Sequence, residues 1–241
     1  MDRLIYLAMA GAKATMQRQE VLSHNLANAS TNGFRAELSA FRSVPVQGDG
    51  ASTRVFALES TPGYNPNPGP VQSTGRTLDV ALQGNAWLAV QGLDGTEAYT
   101  RAGALDVNAE GLLVTRTGLT VIGDGGPINV PANAELLIAA DGTLNASVGN
   151  GRPQGGGKLK LVTPEAPLRR GDDGLFRAAD DLAADPNARV QDGALEGSNV
   201  SPVEAMVAMI SAARQFEQQM KMLASVQEKE QSATRLLSNQ Q

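Results

Sequence analysis

Ser201-Pro202-Val203-Glu204-Ala205-Met206-Val207-Ala208-Met209-Ile210 opens a run to Gln241 that contains no glycine and no further proline. Ser201 and Glu204 have the spacing of a capping box, and Pro202 falls at the first helical position, where its missing N–H costs nothing. The spacing predicts a helix over 201–241, up to ~40 residues or roughly 60 Å. Glu217 and Lys221 form a correctly oriented i,i+4 pair that adds only ~0.2–0.5 kcal/mol. The seam decides more. Val203, Met206, Ile210, Ala213, Phe216, Met220 and Leu223 recur at intervals of three and four, with one slip at Phe216. Such spacing lays a narrow apolar stripe along one side of a helix, which is what a coiled-coil partner needs.

The other end of the chain is built alike. Leu4, Leu7, Gly11, Ala14, Arg18, Val21 and Asn25 alternate at the same spacings. A helix from Asp2 to about Ala29 would span roughly 40 Å. This seam is weaker, because Gly11 costs about 1 kcal/mol relative to alanine and Arg18 and Asn25 replace apolar residues. Gly11 and Ala14 would let a neighbouring helix come close. The run Asn28-Ala29-Ser30-Thr31-Asn32-Gly33 is rich in cap and turn formers and ends the helix.

Between the ends the helical period disappears. From Phe34 to Thr77, Pro45, Pro62, Pro66, Pro68 and Pro70 exclude a helix, yet Phe41, Val44, Val46, Val55, Phe56 and Leu58 are too apolar for a free linker. The expectation is an extended segment that packs against something, with disorder until a partner arrives as the alternative. From Leu78 onward short apolar runs alternate with Asp-Gly and other glycine turns. Strands are expected at Leu78–Leu82, Ala86–Val90, Ala98–Arg101, Ala104–Val107, Leu112–Thr115, Thr120–Ile122, Glu135–Ile138 and Lys158–Val162. That pattern predicts an antiparallel, all-β body. Gly149–Gly157, which holds five glycines, is expected to be a loop. The expected fold class is α+β, with long terminal helices forming a coiled-coil-like domain around the inserted body. The divisions are 1–33 (first helix), 34–77 (connecting segment), 78–192 (β domain) and 193–241 (last helix). Seams at both ends seek partners, and the body is self-sufficient.

Composition excludes several functions. The 241 residues carry a net charge of −5 with no basic cluster, which argues against nucleic acid as a partner. Cysteine is absent, so disulfides and thiolate metal sites are excluded. No apolar run approaches the ~20 residues of a membrane span. The start, Met1-Asp2-Arg3-Leu4-Ile5-Tyr6, has an acid at position two and passes into Gln17-Arg18-Gln19-Glu20, a poor match to a cleaved signal peptide.

Catalytic and metal-binding patterns fare no better. His24 is the only histidine, which rules out a His-His cluster. Asp172-Asp173 and Asp180-Asp181 lack the spacing of a calcium loop. In the glycine-rich Gly155-Gly156-Gly157-Lys158, Arg152 replaces the first glycine of a phosphate loop and Leu159 replaces its Ser or Thr. No Gly-x-Ser-x-Gly elbow occurs. Trp87, in the strand-like Trp87-Leu88-Ala89-Val90, reads as core.

Several stretches resemble one family. Asn25-Leu26-Ala27-Asn28-Ala29-Ser30-Thr31-Asn32-Gly33-Phe34 resembles the signature after the first helix of bacterial flagellar rod and hook proteins. Leu78-Asp79-Val80-Ala81-Leu82-Gln83-Gly84 and Tyr99-Thr100-Arg101-Ala102-Gly103 resemble its central motifs. Leu195-Glu196-Gly197-Ser198-Asn199-Val200 resembles a third, before the last helix. Arg42-Ser43-Val44-Pro45-Val46 and Arg170-Gly171-Asp172-Asp173-Gly174-Leu175-Phe176-Arg177 are similar to the proximal-rod members in particular. The resemblance implies a structural subunit with no enzymatic activity and no cofactor. It would be exported by the flagellar type III apparatus without a cleaved signal, and would lie in the periplasmic rod of the basal body. There its terminal helices would pack against other rod proteins and copies of itself in a helical tube, using both seams together with Asn25, Leu26, Asn28, Gly33 and Phe34. The alternative is a distal rod or other hook–basal-body axial protein.

Overall fold

The computed structural model describes residues 2–45, 55–131, 134–148 and 154–238. The chain divides into two compact units. One combines Met1–Ala29, Glu37–Asn65 and Val200–Gln241; the other combines Ser30–Ala36 and Pro66–Asn199. Long helices and antiparallel strands make it α+β.

The first unit contains α1 (Asp2–Ala27), β1 (Glu37–Pro45), β2 (Val55–Tyr64) and α2 (Pro202–Ser238). α2 starts where the capping residues place it: the Glu204 N–H donates to Ser201 Oγ at 3.4 Å, and the Ala205 N–H donates to the Ser201 carbonyl at 3.0 Å. Asn28 ends α1, donating to the His24 carbonyl from its backbone N–H at 3.2 Å and from Nδ2 at 2.9 Å. α1 and α2 pack on each other, and Gly11 lies under the Gln219 side chain, whose Cδ would be 3.2 Å from an added Cβ. The covered faces are made of small residues, with Ala8 and Ala12 buried on α1 and Ala205 and Ala212 on α2.

Within the stretch 34–77, β1 and β2 form an antiparallel pair from Glu37↔Tyr64 to Pro45↔Val55. The register shifts between Leu38 and Ala40, where Thr61-Pro62 supplies an extra residue, as a proline without an N–H to donate favours. Asn25, a polar residue in an apolar seam, has its reason here. Its Nδ2 donates to the Glu37 carbonyl at 2.9 Å, and its Oδ1 accepts from the Glu37 N–H at 2.8 Å.

The second unit runs through β3 (Val71–Ser73), β4 (Val80–Leu82), β5 (Trp87–Gln91), β6 (Glu97–Thr100), β7 (Leu105–Val107) and β8 (Leu113–Thr115). It continues with β9 (Ile122–Gly123), β10 (Gly126–Pro127), β11 (Ala134–Ile138), β12 (Thr143–Val148), β13 (Gln154–Lys158) and β14 (Leu161–Val162). The last are β15 (Arg169–Arg170), β16 (Phe176–Arg177), β17 (Val190–Asp192) and β18 (Ala194–Glu196). All pairings are antiparallel. The largest sheet runs in the order β14-β5-β6-β16-β15, and β11-β12-β13 forms another. β5 is buried on both faces: Leu88 and Val90 enter the main core with Leu105, Leu113, Val121, Leu144 and Leu161, while Trp87 packs against Phe176 with ring centroids 4.6 Å apart and planes tilted by 56°.

Two sequence expectations need correction. Gln154–Gly157, expected in a loop, forms most of β13; residues 149–153 of that stretch lie outside the described residues. Backbone pairing needs no side chain, and β12 presents an edge to which Gly155 and Gln154 pair at Asn145 and Ala146. The strand expected at Lys158–Val162 is split, since Leu159 bridges to Gly123 between β13 and β14. β12 escaped notice because its alternation is carried partly by Ala146, Asn145 and Ser147, weak strand formers.

One carboxylate organises this unit. Glu196, at the end of β18 and only 1% exposed, is bound by Arg35 at Oε1 and by Arg101 at Oε2. The Gly69 N–H adds a third bond, at 3.0 Å to Oε1. Arg101 uses its whole guanidinium. Nε donates to Glu196 Oε2 at 2.8 Å, Nη1 to the carbonyls of Gly84 and Ala86, and Nη2 to Glu196 and the Leu82 carbonyl. Burial lowers its pKa by more than Glu196 raises it. Around this cluster only glycine fits. Gly33 has φ +71°, and a Cβ there would lie 2.3 Å from the Arg101 carbonyl carbon; one on Gly103 would lie 1.7 Å from the Val80 oxygen.

Removing one partner of a buried, hydrogen-bonded ion cluster strands the others. Glu196→Ala is expected to cost this unit about 3–5 kcal/mol, read as a lower urea midpoint for the Trp87 fluorescence transition; an unchanged midpoint would show that the cluster is not what holds the unit. The pairing of β3 with β18 also fixes where the unit can be cut. A fragment of residues 66–199 keeps β3, β18 and the Arg101–Glu196 pair but loses Arg35, and is expected to melt cooperatively at a temperature below that of the unit in the full chain. Residues 78–192 lack both strands and leave Arg101 buried without Glu196, so that fragment is expected to melt far lower. Equal melting temperatures would contradict this account.

Candidate subunit-contact surfaces

The apolar stripe of α2 is divided between two faces. The side covered by the chain itself buries Ala205 and Ala212, 7% and 1% exposed. Ala213, Phe216 and Leu223 are half-buried. Four larger residues lie outward: Val203 is 71% exposed, Ile210 56%, Met206 50% and Met220 46%. A helix that satisfied itself within one chain would show the reverse, its bulky side chains inside and its alanines at the rim.

Val207 belongs with the outward group, 59% exposed, and the sequence reading passed over it. The signal was present, since Val207 is four residues after Val203 and three before Ile210, so all of them share one helical face with Met206. Met222 is exposed as well; on α1, Tyr6, Met9 and Met16 are exposed too and were missed, because they fall outside the expected seam.

On α1 the expected contact residues separate. The side chains of Leu4 and Leu7 lie outside the described residues. Gly11, Ala14, Val21 and Leu26 are half-buried. Asn25 is buried against Glu37, and Asn28 caps the helix. In the second unit, Gly33 sits beside Arg101, and Phe34 is buried with the Arg170 guanidinium 4.6 Å above its ring. Asn25, Gly33 and Phe34 are thus covered within the chain, whereas Val203, Met206 and Ile210 present half or more of their surface.

Nothing in the described residues suggests chemistry. His24 Nδ1 lies 3.1 Å from Glu37 Oε2 on the surface, beside an open groove lined by Gln17, Glu20 and Val21. Among the described residues no group of three or more His, Asp or Glu could hold a metal ion, and no helix is long and apolar enough to cross a membrane. The tight ionic contact of Arg177 with Asp94 and Asp173, at 3.0 and 2.8 Å, braces two surface turns and holds the Asp173 carboxyl below its usual range.

Three family profiles match in chain order. Flagella basal body rod protein covers residues 5–35, the flagellar hook protein FlgE/F/G D1 domain covers 81–146, and the flagellar basal body rod FlgEFG protein C-terminal region covers 191–236. The chain is 51% identical to the flagellar basal-body rod protein FlgF of Salmonella typhimurium and 49% identical to that of Escherichia coli K12, in each case over 99% of both chains. It is 31% identical to the flagellar basal-body rod protein FlgG of Agrobacterium fabrum, over 94% of this chain and 96% of the relative. Similarity of this degree along the whole length accounts for the helical ends, the β body and the motifs between them, and the chain belongs to the flagellar basal-body rod protein family.

Proposed function

We propose that the chain is a proximal-rod subunit that polymerises through its terminal helices. Its family makes it a structural component of the flagellar basal body, working in assembly with other rod proteins. The relatives at 51% and 49% identity carry the name FlgF and the one at 31% carries FlgG, which favours the proximal over the distal reading. Delivery by the flagellar type III apparatus to a periplasmic rod completes the proposal, and it rests on the family resemblance.

The observation that carries polymerisation is the outward face of α2. Val203, Met206, Val207 and Ile210 each leave about half or more of their surface in water. Covering the exposed half of such a side chain is worth about 1 kcal/mol. Four side chains per copy, repeated along a tube, add up to a substantial driving force, and coiled-coil pairing with neighbouring helices is the arrangement their spacing suits. Helices of this kind are marginal when alone in water, so part of their order is expected to come from neighbours.

Because Ile210 is exposed, replacing it tests assembly without disturbing the folded chain. Ile210→Asp is expected to leave the purified protein's circular dichroism and melting temperature unchanged. In cells it is expected to abolish swimming, with basal bodies lacking a complete rod by electron microscopy. Gln227→Glu, also on the exposed surface of α2, is expected to swim normally. Intact rods and motility in the Ile210→Asp strain would remove this face from the mechanism.

A further inference from the structure

Four places exist where the backbone passes between the units: after Ala29, after Ala36, after Asn65 and after Asn199. Inside the second unit, the segments next to those places are tied to one another around Glu196. The Gly33 N–H donates to the Glu196 carbonyl at 2.8 Å, and Arg35 binds its carboxylate. The Ala36 N–H donates to Asn199 Oδ1 at 2.6 Å, while the Asn199 N–H donates to the Phe34 carbonyl at 3.2 Å. Asn199 Nδ2 reaches the Asn67 carbonyl at 2.8 Å, the Gly69 N–H binds Glu196 Oε1, and the Gly197 N–H donates to the Pro70 carbonyl at 2.8 Å. Segments 33–36, 67–70 and 196–199, far apart in sequence, therefore share one set of bonds. Arg101 anchors that set to the core through the carbonyls of Leu82, Gly84 and Ala86.

We propose that these bonds form a clasp that opens and closes as one unit, so that the segments joining the two units are held or released together. The charges make partial opening costly. Arg35 and Arg101 are 3% and 2% exposed and share a single carboxylate, so withdrawing any one segment leaves a buried charge short of a partner. Arg35 Nε is buried with no hydrogen-bond acceptor, which leaves this arginine held by fewer bonds than Arg101. The clasp rests on the geometry of the second unit alone and holds whether or not the chain polymerises.

Amide hydrogen exchange on the full chain by NMR tests it. In the native protein the amides of Gly33, Ala36, Gly69, Gly197 and Asn199 are expected to exchange with one common opening constant. Arg35→Met keeps the aliphatic stem and removes the charge, and should raise all of these rates about tenfold or more, the effect of losing a charged hydrogen bond. The core amides of Leu113 and Val121, bonded to Ile128 and Leu113, should not change. Acceleration confined to Gly33 and Ala36, with Gly69 and Gly197 unaffected, would overturn the proposal. If Arg35→Met accelerates the core as well, Asn199→Ala provides the second test: it removes no buried charge, and the same coupled rise at Gly33, Gly69 and Gly197 is expected, while a purely local rise would overturn the proposal.

Discussion

A carboxylate shared by two buried arginines is the constraint on which the β unit depends. Burying Glu196, Arg35 and Arg101 together is tolerable only because nearly every polar atom finds a partner. That requirement fixes much else. It places β18 beside β3, brings residues 33–36 into a unit whose other members begin at residue 66, and leaves no room for a Cβ at Gly33 or Gly103. Four of the stretches that resemble flagellar proteins in sequence meet at or beside this spot. Arg35 immediately follows the first, Leu82 and Gly84 lie in the second, Arg101 in the third and Glu196 in the fourth.

The helical unit follows a different logic. Its inner surface is alanine, glycine and a pair of asparagine bonds, which allow close approach with little hydrophobic gain. Several of its larger apolar residues, Val203, Met206, Val207 and Ile210 among them, are turned outward. Charge is divided in the same sense. Residues 30–36 and 66–199 hold 16 acids and 11 bases and so account for the whole net charge of −5, whereas the remaining residues hold nine of each. A neutral surface with exposed Val and Met suits repeated contact between copies, since like charge would add repulsion at every contact.

What the chain discloses by itself are the features set by neighbours in sequence. The capping box at Ser201, the glycine-free run after it, the seam periodicity and the Asp-Gly turns each depend on residues a few positions apart, and the structure shows helices and antiparallel strands where those local signals lie. The apolar spacing along α2 was legible for the same reason, because helical spacing is local. Which side of the helix the chain would cover with its own α1 was not, and Val207 was overlooked beside Val203 and Ile210. Tertiary structure alone decided the rest. Asn25 looks like a flaw in an apolar seam until Glu37 folds back to its amide; glycine-rich β13 looks like a loop until β12 offers its edge; Glu196 looks like one surface acid among many until Arg35 and Arg101, 161 and 95 residues away in sequence, arrive beside it. Burial and hydrogen bonding at these positions depend on partners that no local window of sequence contains.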